Sequence, residues 1–442
     1  VNPVLVLEQF FKQHHLVEKK ILLALSGGID SLSLFYCLLQ CKLSFHIAHV
    51  DHSWRQESAQ EAYMLQQLAA QHRIPFHLKK LDLTQATHNL EDYCRKQRYA
   101  FFKTICSQYD LEGVLLGHQG NDQVETVLKR LLEGSHWSHL SALKSDSQVY
   151  GIRALRPFLT LTKQVLQDWL SKNGHIAFND PTNNDPTFLR GRMRQVIFPW
   201  LNQTFGKNIY SALMQLEQDA AELNAFFDAR IEPLLDQTMC GPFGAYLDLS
   251  CNLPQSMIEI KYLVRKFFES QQVSVSRSIL ATSAHLLEKG EANKMLKMGS
   301  QSIWIDRKHI FILNPLTPFD EKLRLTPGKW VINKKWVVEV EKTSRPLLPS
   351  SWKEGWKGQF RAWVPAGDYQ LAKPMASASY RGRKTTLRKW WNAHKIPAFL
   401  RDCIPVVWGE NAVICECLTG KWIDEKKEVN GGLEIRITYQ IT

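Results

Sequence analysis

The sequence predicts an α/β chain: a doubly wound parallel sheet over residues 1–205, a mainly helical unit over 206–314, and a smaller β-rich, α+β unit over 315–442. Three observations carry this. Short apolar runs alternate with amphipathic stretches from residue 20 to about 118, the order that builds a parallel sheet covered by helices. Tyr210 to Leu235 keeps apolar residues at helical spacing for far longer than a strand would. Beyond Asn314-Pro315 the composition turns to Trp, Lys, Thr and Val, with alternating runs such as Trp336-Val337-Val338-Glu339-Val340. At 442 residues the chain is too long for one growing core, and length alone suggests roughly three domains.

Taken in order, Ile21 to Leu25 reads as a buried strand and Ser31 to Leu39 as the helix after it. Phe45 to Val50 is a second strand, and Glu57 to Gln71 a second helix with apolar residues at helical spacing. Phe76 to Leu81 and Gly113 to Leu116 continue the series. Right-handed crossovers wind such a series into a sheet whose ligand crevice lies beyond the carboxyl ends of the strands, and the candidate motifs sit at those ends. Asn179 to Pro186 is turn chemistry, followed by a basic, helix-like stretch to Trp200-Leu201, so a boundary falls near 205. Residues 236 to about 314 mix helix with a closing strand pair around Ile303 and Phe311. No repeat of solenoid period occurs.

Hydrophobic residues at 44% and charged residues at 22% are ordinary globular usage, which excludes a disordered chain. No run of about eighteen apolar residues occurs, and Val1 to Phe11 lack the order of a signal peptide. The expectation is a cytoplasmic protein with no membrane partner. Nine scattered cysteines without a CxxC speak against a disulfide framework or a zinc ribbon. A net charge of +12 favours a polyanionic partner, because cations laid on phosphates release condensed counterions.

Leu25-Ser26-Gly27-Gly28-Ile29-Asp30-Ser31 joins a strand to a helix. Its two glycines let successive amides point inward as an anion nest, and the helix start adds its positive end. Ser26 and Ser31 can donate to phosphate oxygens, while Asp30 is suited to hold a Mg²⁺ that touches phosphate. The bland alternative is a Gly-Gly turn capped by serine. Ser26 to Ser31 resembles the SGGxDS signature of the PP-loop ATP pyrophosphatases, a family without the lysine of GxxxxGK[ST]. The resemblance implies that ATP is split between its α and β phosphates after a substrate oxygen attacks the α-phosphorus. Ser26, Gly27, Gly28, Ile29, Asp30, Ser31 and His49 would then bind ATP, with Asp30 catalytic.

Further motifs narrow the substrate. His49-Val50-Asp51-His52-Ser53-Trp54-Arg55-Gln56-Glu57-Ser58 resembles the HVDHxxRxES stretch of the tRNA(Ile)-lysidine synthases, and Gly117 to Thr126 resembles their GHxxDDxxET. Arg95, Arg98 and Tyr99 stand where that family has an arginine-bearing helix; Arg156-Pro157-Phe158, Asp180 to Asn183 and Arg190-Gly191-Arg192-Met193-Arg194 resemble its RP, DxSN and RNxxR elements. The likeness covers 21–201, is weaker over 236–314, and returns at Arg383 to Ala412. Asn121 and Gly191 depart from the family's usual Asp and Asn. The resemblance implies adenylation of the wobble cytidine of a CAU-anticodon isoleucine tRNA, then attack by free L-lysine. It implies ATP and Mg²⁺ as cofactors, His118 near the reacting phosphate, Asp122 and Glu125 on the lysine, and Arg98 near the cytidine. Arg95, Arg98, Arg190, Arg192 and Arg194 would face tRNA, as would Arg383, Lys384, Arg388 and Lys389.

The residues support parts of this unaided. His118 follows the Val114-Leu115-Leu116 strand, hence the ligand edge, and Asp122 and Glu125, three apart, share a helix face that can bind an ammonium or merely cap a helix. Arg95 and Arg98 share a face and could equally pair with Glu91 at the surface. Alternate strand residues face opposite ways, so His46, His49 and His52 are a poor zinc set. Cys415 and Cys417 read as buried structural thiols. Tryptophans 352, 356, 363, 390, 391, 408 and 422 lie among clustered cations such as Arg388-Lys389, a composition suited to unstacked bases and RNA phosphates, although many must be core. Two alternatives remain, a PP-loop tRNA thiolase and a non-catalytic RNA-binding protein. The thiolase needs a reactive cysteine or CxxC, and neither falls in the phosphate or His118 motifs. Monomer and homodimer are both open.

Overall fold

The computed structural model describes residues 1–51, 58–85, 90–178, 189–298, 301–344, 351–381, 385–419 and 431–440. It divides into two compact units, Val1–Phe226 and Phe227–Thr442. The first contains α1 (Pro3–Gln13), β1 (Ile21–Ala24), α2 (Ile29–Gln40), β2 (Phe45–Asp51), α3 (Ser58–Gln71), β3 (Phe76–Lys80), α4 (Leu90–Tyr109), β4 (Val114–Leu115), α5 (Gly120–Leu132), β5 (Asp146–Val149), β6 (Ile152–Leu155) and α6 (Lys163–Lys172). Then come α7 (Leu189–Arg192), a π-helical turn at Met193–Ile197, α8 (Phe198–Phe205) and α9 (Ile209–Leu235).

The six strands run in the order β3-β2-β1-β4-β6-β5, all parallel except the edge strand β5. The four strands and two helices expected between 21 and 116 all form, within a residue or two of their expected bounds. Their apolar runs are continuous because both sheet faces are covered. Leu23 packs with Leu7, Phe35, Leu166 and Leu170 on one face, while its neighbour Leu22 packs with Tyr99, Phe102 and Ile105 on the other. Each such side chain contributes about 1.5–3 kcal/mol by leaving water. The strand order reverses between β1 and β4, so the crevice of this sheet opens at their carboxyl ends.

Side chains cap three of these helices. Asn2 accepts from Val4 N–H, Gln119 from Asn121 N–H and Thr162 from Val165 N–H. By contrast, α2 begins at Gly28 with no side-chain cap. The first compact unit runs past residue 205, because Leu213 and its neighbours on α9 pack on Val124, Val127 and Leu128 of α5.

The second unit takes the end of α9 from Phe227 and continues with β7 (Met239–Gly241), β8 (Gly244–Asp248), α10 (Met257–Ser270), α11 (Arg277–Lys289), β9 (Lys294–Met298), β10 (Gln301–Asp306) and β11 (His309–Leu313). The strand pair expected at Ile303 and Phe311 forms, with Trp304 opposite Phe311, but inside a five-stranded sheet ordered β7-β8-β11-β10-β9. The added strands carry Gly, Met and Lys rather than β-branched residues, so their pairing comes from neighbours and not from propensity.

Next come β12 (Leu323–Arg324), β13 (Gly328–Ile332), β14 (Trp336–Thr343), α12 (Trp352–Gly355), β15 (Gln359–Pro365), β16 (Gln370–Ala372), α13 (Leu387–Ala393), α14 (Ala398–Arg401), β17 (Val406–Trp408), β18 (Val413–Glu416) and β19 (Gly432–Tyr439). They form two four-stranded sheets, β12-β16-β17-β18 and β13-β14-β19-β15. Trp336, Trp352, Trp356, Trp391, Phe360 and Tyr380 lie in one core with Tyr246 and Phe311 of the five-stranded sheet. Among the described residues, no helix is long and apolar enough to cross a membrane.

Candidate active site

At the end of β1 the chain turns sharply into α2. The Ser31 hydroxyl holds this turn: it donates to Gly28 C=O at 3.1 Å, accepts from Ser26 N–H at 3.2 Å and lies 3.1 Å from Ser26 Oγ. Gly27 has φ +88, and a Cβ there would meet the Phe178 ring at 2.4 Å; Phe178 N–H also donates to Gly27 C=O at 3.0 Å. Gly28 has an ordinary φ of −73, and a Cβ there would find only Ser26 Oγ, at 3.8 Å. Neither packing nor backbone strain asks for glycine at 28. What it keeps open is space beside the uncapped amides of α2, where an anion would sit.

The β4–α5 connection approaches the same turn. A Cβ at Gly117 would lie 3.0 Å from Ser31 N and 3.3 Å from Asp30 Cβ, so only glycine lets the two loops touch. His49 Nδ1 is 2.8 Å from Leu25 C=O, which orients its ring at the end of β2. Asp122 is the third residue of α5; its Oδ2 accepts from Gln119 N–H at 3.1 Å as half of a capping box. Its Oδ1 accepts from Arg194 Nη2 at 3.3 Å. Glu125, 2% exposed, takes Arg194 on both oxygens, through Nε and, at 3.1 Å, through Nη2. Arg190 Nε approaches Glu125 at 3.8 Å.

These groups form one electrostatic cluster. Burial first, then the Asp122 charge, pushes the Asp30 carboxyl up to about 7, with Glu125 adding to this and Lys163 and Arg194 opposing it. Burial also raises Glu125 against the pull of Arg194. The His118 imidazole sits well below its ordinary value because of burial, which outweighs Asp122 and is reinforced by Arg156, Arg190 and Arg98. Burial therefore favours the neutral imidazole of His118, which can donate a hydrogen bond through one ring nitrogen. Its Nδ1, Nε of Arg98 and Nε of Arg156 are buried without hydrogen-bond partners.

Asp30 Oδ1 is likewise buried with no hydrogen-bond partner. A carboxylate so raised and so orphaned fits a cation. Among the described residues no set of three His, Cys, Asp or Glu side chains could hold a metal alone, so a Mg²⁺ on Asp30 would share its coordination with phosphate oxygens.

A PP-loop domain model matches residues 4–201, and a TilS substrate C-terminal domain model matches 371–437. A tRNA(Ile)-lysidine synthase of Protochlamydia amoebophila (strain UWE25) is 43% identical over 446 residues, covering 99% of this chain and 97% of its own. The chain belongs to the tRNA(Ile)-lysidine synthase family. A second member, from Chlamydia pneumoniae, is 41% identical over 265 residues, covering 60% of this chain and 83% of its own.

Against that family's motifs, the fold brings Asp30, His118, Asp122, Glu125, Arg98, Arg190 and Arg194 together. Arg194 is placed differently from the expectation for it, since its guanidinium is spent on Glu125 and Asp122 rather than turned to an RNA surface. Arg95 and Arg192 are exposed. Arg388 and Lys389 are exposed on α13, whereas Arg383, Lys384, the Asp180 to Asn183 motif and His52 to Glu57 lie outside the described residues. The paired tryptophans divide: Trp391 is 1% exposed, and Trp390 stacks 5.0 Å from the Arg381 guanidinium. Asn121, the departure from the family's Asp, accepts from Lys163 N–H at 3.0 Å through Oδ1. Sequence pattern points to neither Lys163 nor Gln119; Thr162, three residues before Val165, is the one local signal, marking the start of the helix that carries Lys163.

Proposed function

We propose that this enzyme makes lysidine at the wobble cytidine of a CAU-anticodon isoleucine tRNA, consuming ATP and L-lysine. The observation that carries the reading is the meeting of Asp30 with the Asp122 and Glu125 carboxylates at the β1/β4 crevice. One end of the site suits a nucleotide phosphate, and the other an ammonium.

In the first step the cytidine C2 oxygen attacks the α-phosphorus and pyrophosphate leaves. The α2 amides and neutral His118 donate hydrogen bonds to the charge that develops on the transferring group. Asp30 would hold a Mg²⁺, which would supply positive charge to the phosphates. Arg98 and Arg190, beside His118, take the nucleotide's backbone. In the second step the lysine ε-amine attacks C2, AMP leaves, and the nitrogen loses a proton to a carboxylate.

Lysine ammonium has a pKa near 10.4, so presenting a neutral amine at pH 7 costs roughly 4.6 kcal/mol at about 1.36 kcal/mol per unit. A carboxylate that accepts the proton as attack proceeds offsets that cost. Arg194 spans both pocket carboxylates and Arg190 approaches Glu125, which limits how strongly the pocket favours ammonium over the neutral amine. Residues 1–205 would perform the chemistry, with 206–314 and 315–442 binding tRNA, in the cytoplasm.

The test uses ATP, Mg²⁺, labelled lysine and unmodified CAU-anticodon isoleucine tRNA, in which label should enter the RNA. Asp122→Asn should still release pyrophosphate while lysine transfer falls at least 100-fold, so adenylated tRNA accumulates. If Asp122→Asn instead stops pyrophosphate release and leaves lysine affinity untouched, Asp122 serves the metal and the assignment is wrong.

A further inference from the structure

The phosphate loop Ser26–Ser31 contains no lysine, and the closest charges around Asp30 include two further carboxylates, Asp122 and Glu125. A nucleoside triphosphate entering there brings several negative charges toward acidic groups, so a cation must meet its β,γ end. The parallel strands β1, β4 and β6 deliver three helix starts, those of α2, α5 and α6, to one edge of the sheet. We infer that Lys163, the first residue of α6, is a further ATP-binding residue whose ammonium grips the β- and γ-phosphates and stabilises pyrophosphate as it departs.

The placement is built, not incidental. Asn121 Oδ1 accepts from Lys163 N–H at 3.0 Å, and Gly120 N–H donates to Leu161 C=O at 2.7 Å. A Cβ at Gly120 would come within 2.9 Å of that same oxygen, so the approach of α5 to the start of α6 depends on glycine. On the other side α6 packs on α2 through Leu166 and Leu170 against Leu32 and Phe35. The backbone of Lys163 is thereby fixed at the sheet edge that α2 and α5 share. The residue is half-buried and, among the described residues, forms no ion pair with a carboxylate. Its charge lowers the Asp30 carboxyl against the rise that burial imposes, so the ammonium acts on the same loop that would hold the phosphates. The Asn121 amide accounts for the departure from the family's usual Asp: it holds the α6 amide without adding a fourth carboxylate to Asp30, Asp122 and Glu125.

This inference rests on reading Ser26–Ser31 as the ATP loop. Wild type, Lys163→Ala, Lys163→Gln and Lys163→Arg are compared for KM of ATP, inhibition by inorganic pyrophosphate, KM of lysine, tRNA Kd and Tm. Lys163→Ala and Lys163→Gln should raise the ATP KM tenfold or more and weaken pyrophosphate inhibition by a similar factor. Lysine KM, tRNA Kd and Tm should stay within twofold or two degrees, and Lys163→Arg should restore most of the loss. An unchanged ATP KM and pyrophosphate inhibition in a folded, active Lys163→Gln protein would overturn the assignment, as would a parallel fall in tRNA affinity. Wild type that consumes no ATP with tRNA and lysine would instead sink the underlying reading of the loop.

Discussion

Gly27 and Gly28 are adjacent, but glycine is needed at each for a different reason. Gly27 combines a left-handed φ of +88 with the Phe178 ring 2.4 Å from where a Cβ would stand. Gly27→Ala should therefore lower Tm by several degrees along with ATP affinity, since the loop itself is strained. Gly28 has room and an ordinary φ, so Gly28→Ala should leave Tm unchanged and raise the ATP KM roughly tenfold, about 1.4 kcal/mol. Thermal melts and ATP titrations on both variants decide it; unaltered ATP affinity in Gly28→Ala would mean that no phosphate sits against that backbone. At Asp122 the helix-cap reading is present in one oxygen, which accepts from Gln119 N–H, while the other is turned to Arg194. That division was not legible from spacing. It depends on where Arg194 arrives, 72 residues later.

The helices show how local signals and tertiary placement divide the labour. α5 is readable from the three-residue spacing of Asp122 and Glu125, while its Gln119 cap is not. Arg194 lies instead in a π-helical turn, Met193–Ile197, between α7 and α8. Such a turn is rare, and a four-residue spacing from Arg190 does not announce it. With Met193 buried at 2% exposure, the turn sets Arg194 on Glu125. α9 carries a testable consequence of its packing on α5. Glu217 is half-buried beside Gln123, whose Nε2 donates to it at 3.4 Å, and burial pushes its pKa up to about 7 from 4.5. A raised carboxyl means the folded state favours the neutral form. No penalty exists below the unfolded pKa, and the penalty grows as pH rises through the folded value. Glu217→Gln keeps the acceptor for Gln123 and removes the charge. It should raise Tm by about 2–4 °C at pH 8, for roughly 1 kcal/mol after allowance for its partial exposure, and by nothing at pH 4. Melting curves with equal shifts at both pH values would show that Glu217 is solvated in the folded protein.

For the whole molecule, the excess of 55 Lys and Arg over 43 Asp and Glu gains meaning from its distribution. Buried or paired arginines such as Arg156 and Arg194 are occupied inside the first unit, whereas Arg388 and Lys389 are exposed on α13 beside the Trp390 plane. If tRNA lies on that face, Arg388→Glu with Lys389→Glu should weaken binding and reduce the slope of log Kd against log salt by about 1.5. Pyrophosphate release at saturating tRNA should be retained. Filter binding across a salt series measures this, and an unchanged slope places RNA elsewhere.

The sequence by itself determined the strands and helices of the first unit and the positions of Ser26 to Ser31 and His118 at strand ends. Periodicity of 2 or 3.6 residues and turn chemistry are local properties of the chain. It also determined the family, through motifs spread from Gly27 to Asp402. Only the tertiary structure decided that Arg194 would pair with Glu125 and Asp122, that the Lys163 amide would bond to Asn121, and that Trp391 would be core while Trp390 meets Arg381. Those outcomes depend on crossovers that bring residues tens of positions apart to one sheet edge, and on which face of a helix its neighbours leave open. Neither leaves a periodic trace in the chain, because burial selects for apolar character at a position, whereas pairing depends on a partner that another element supplies.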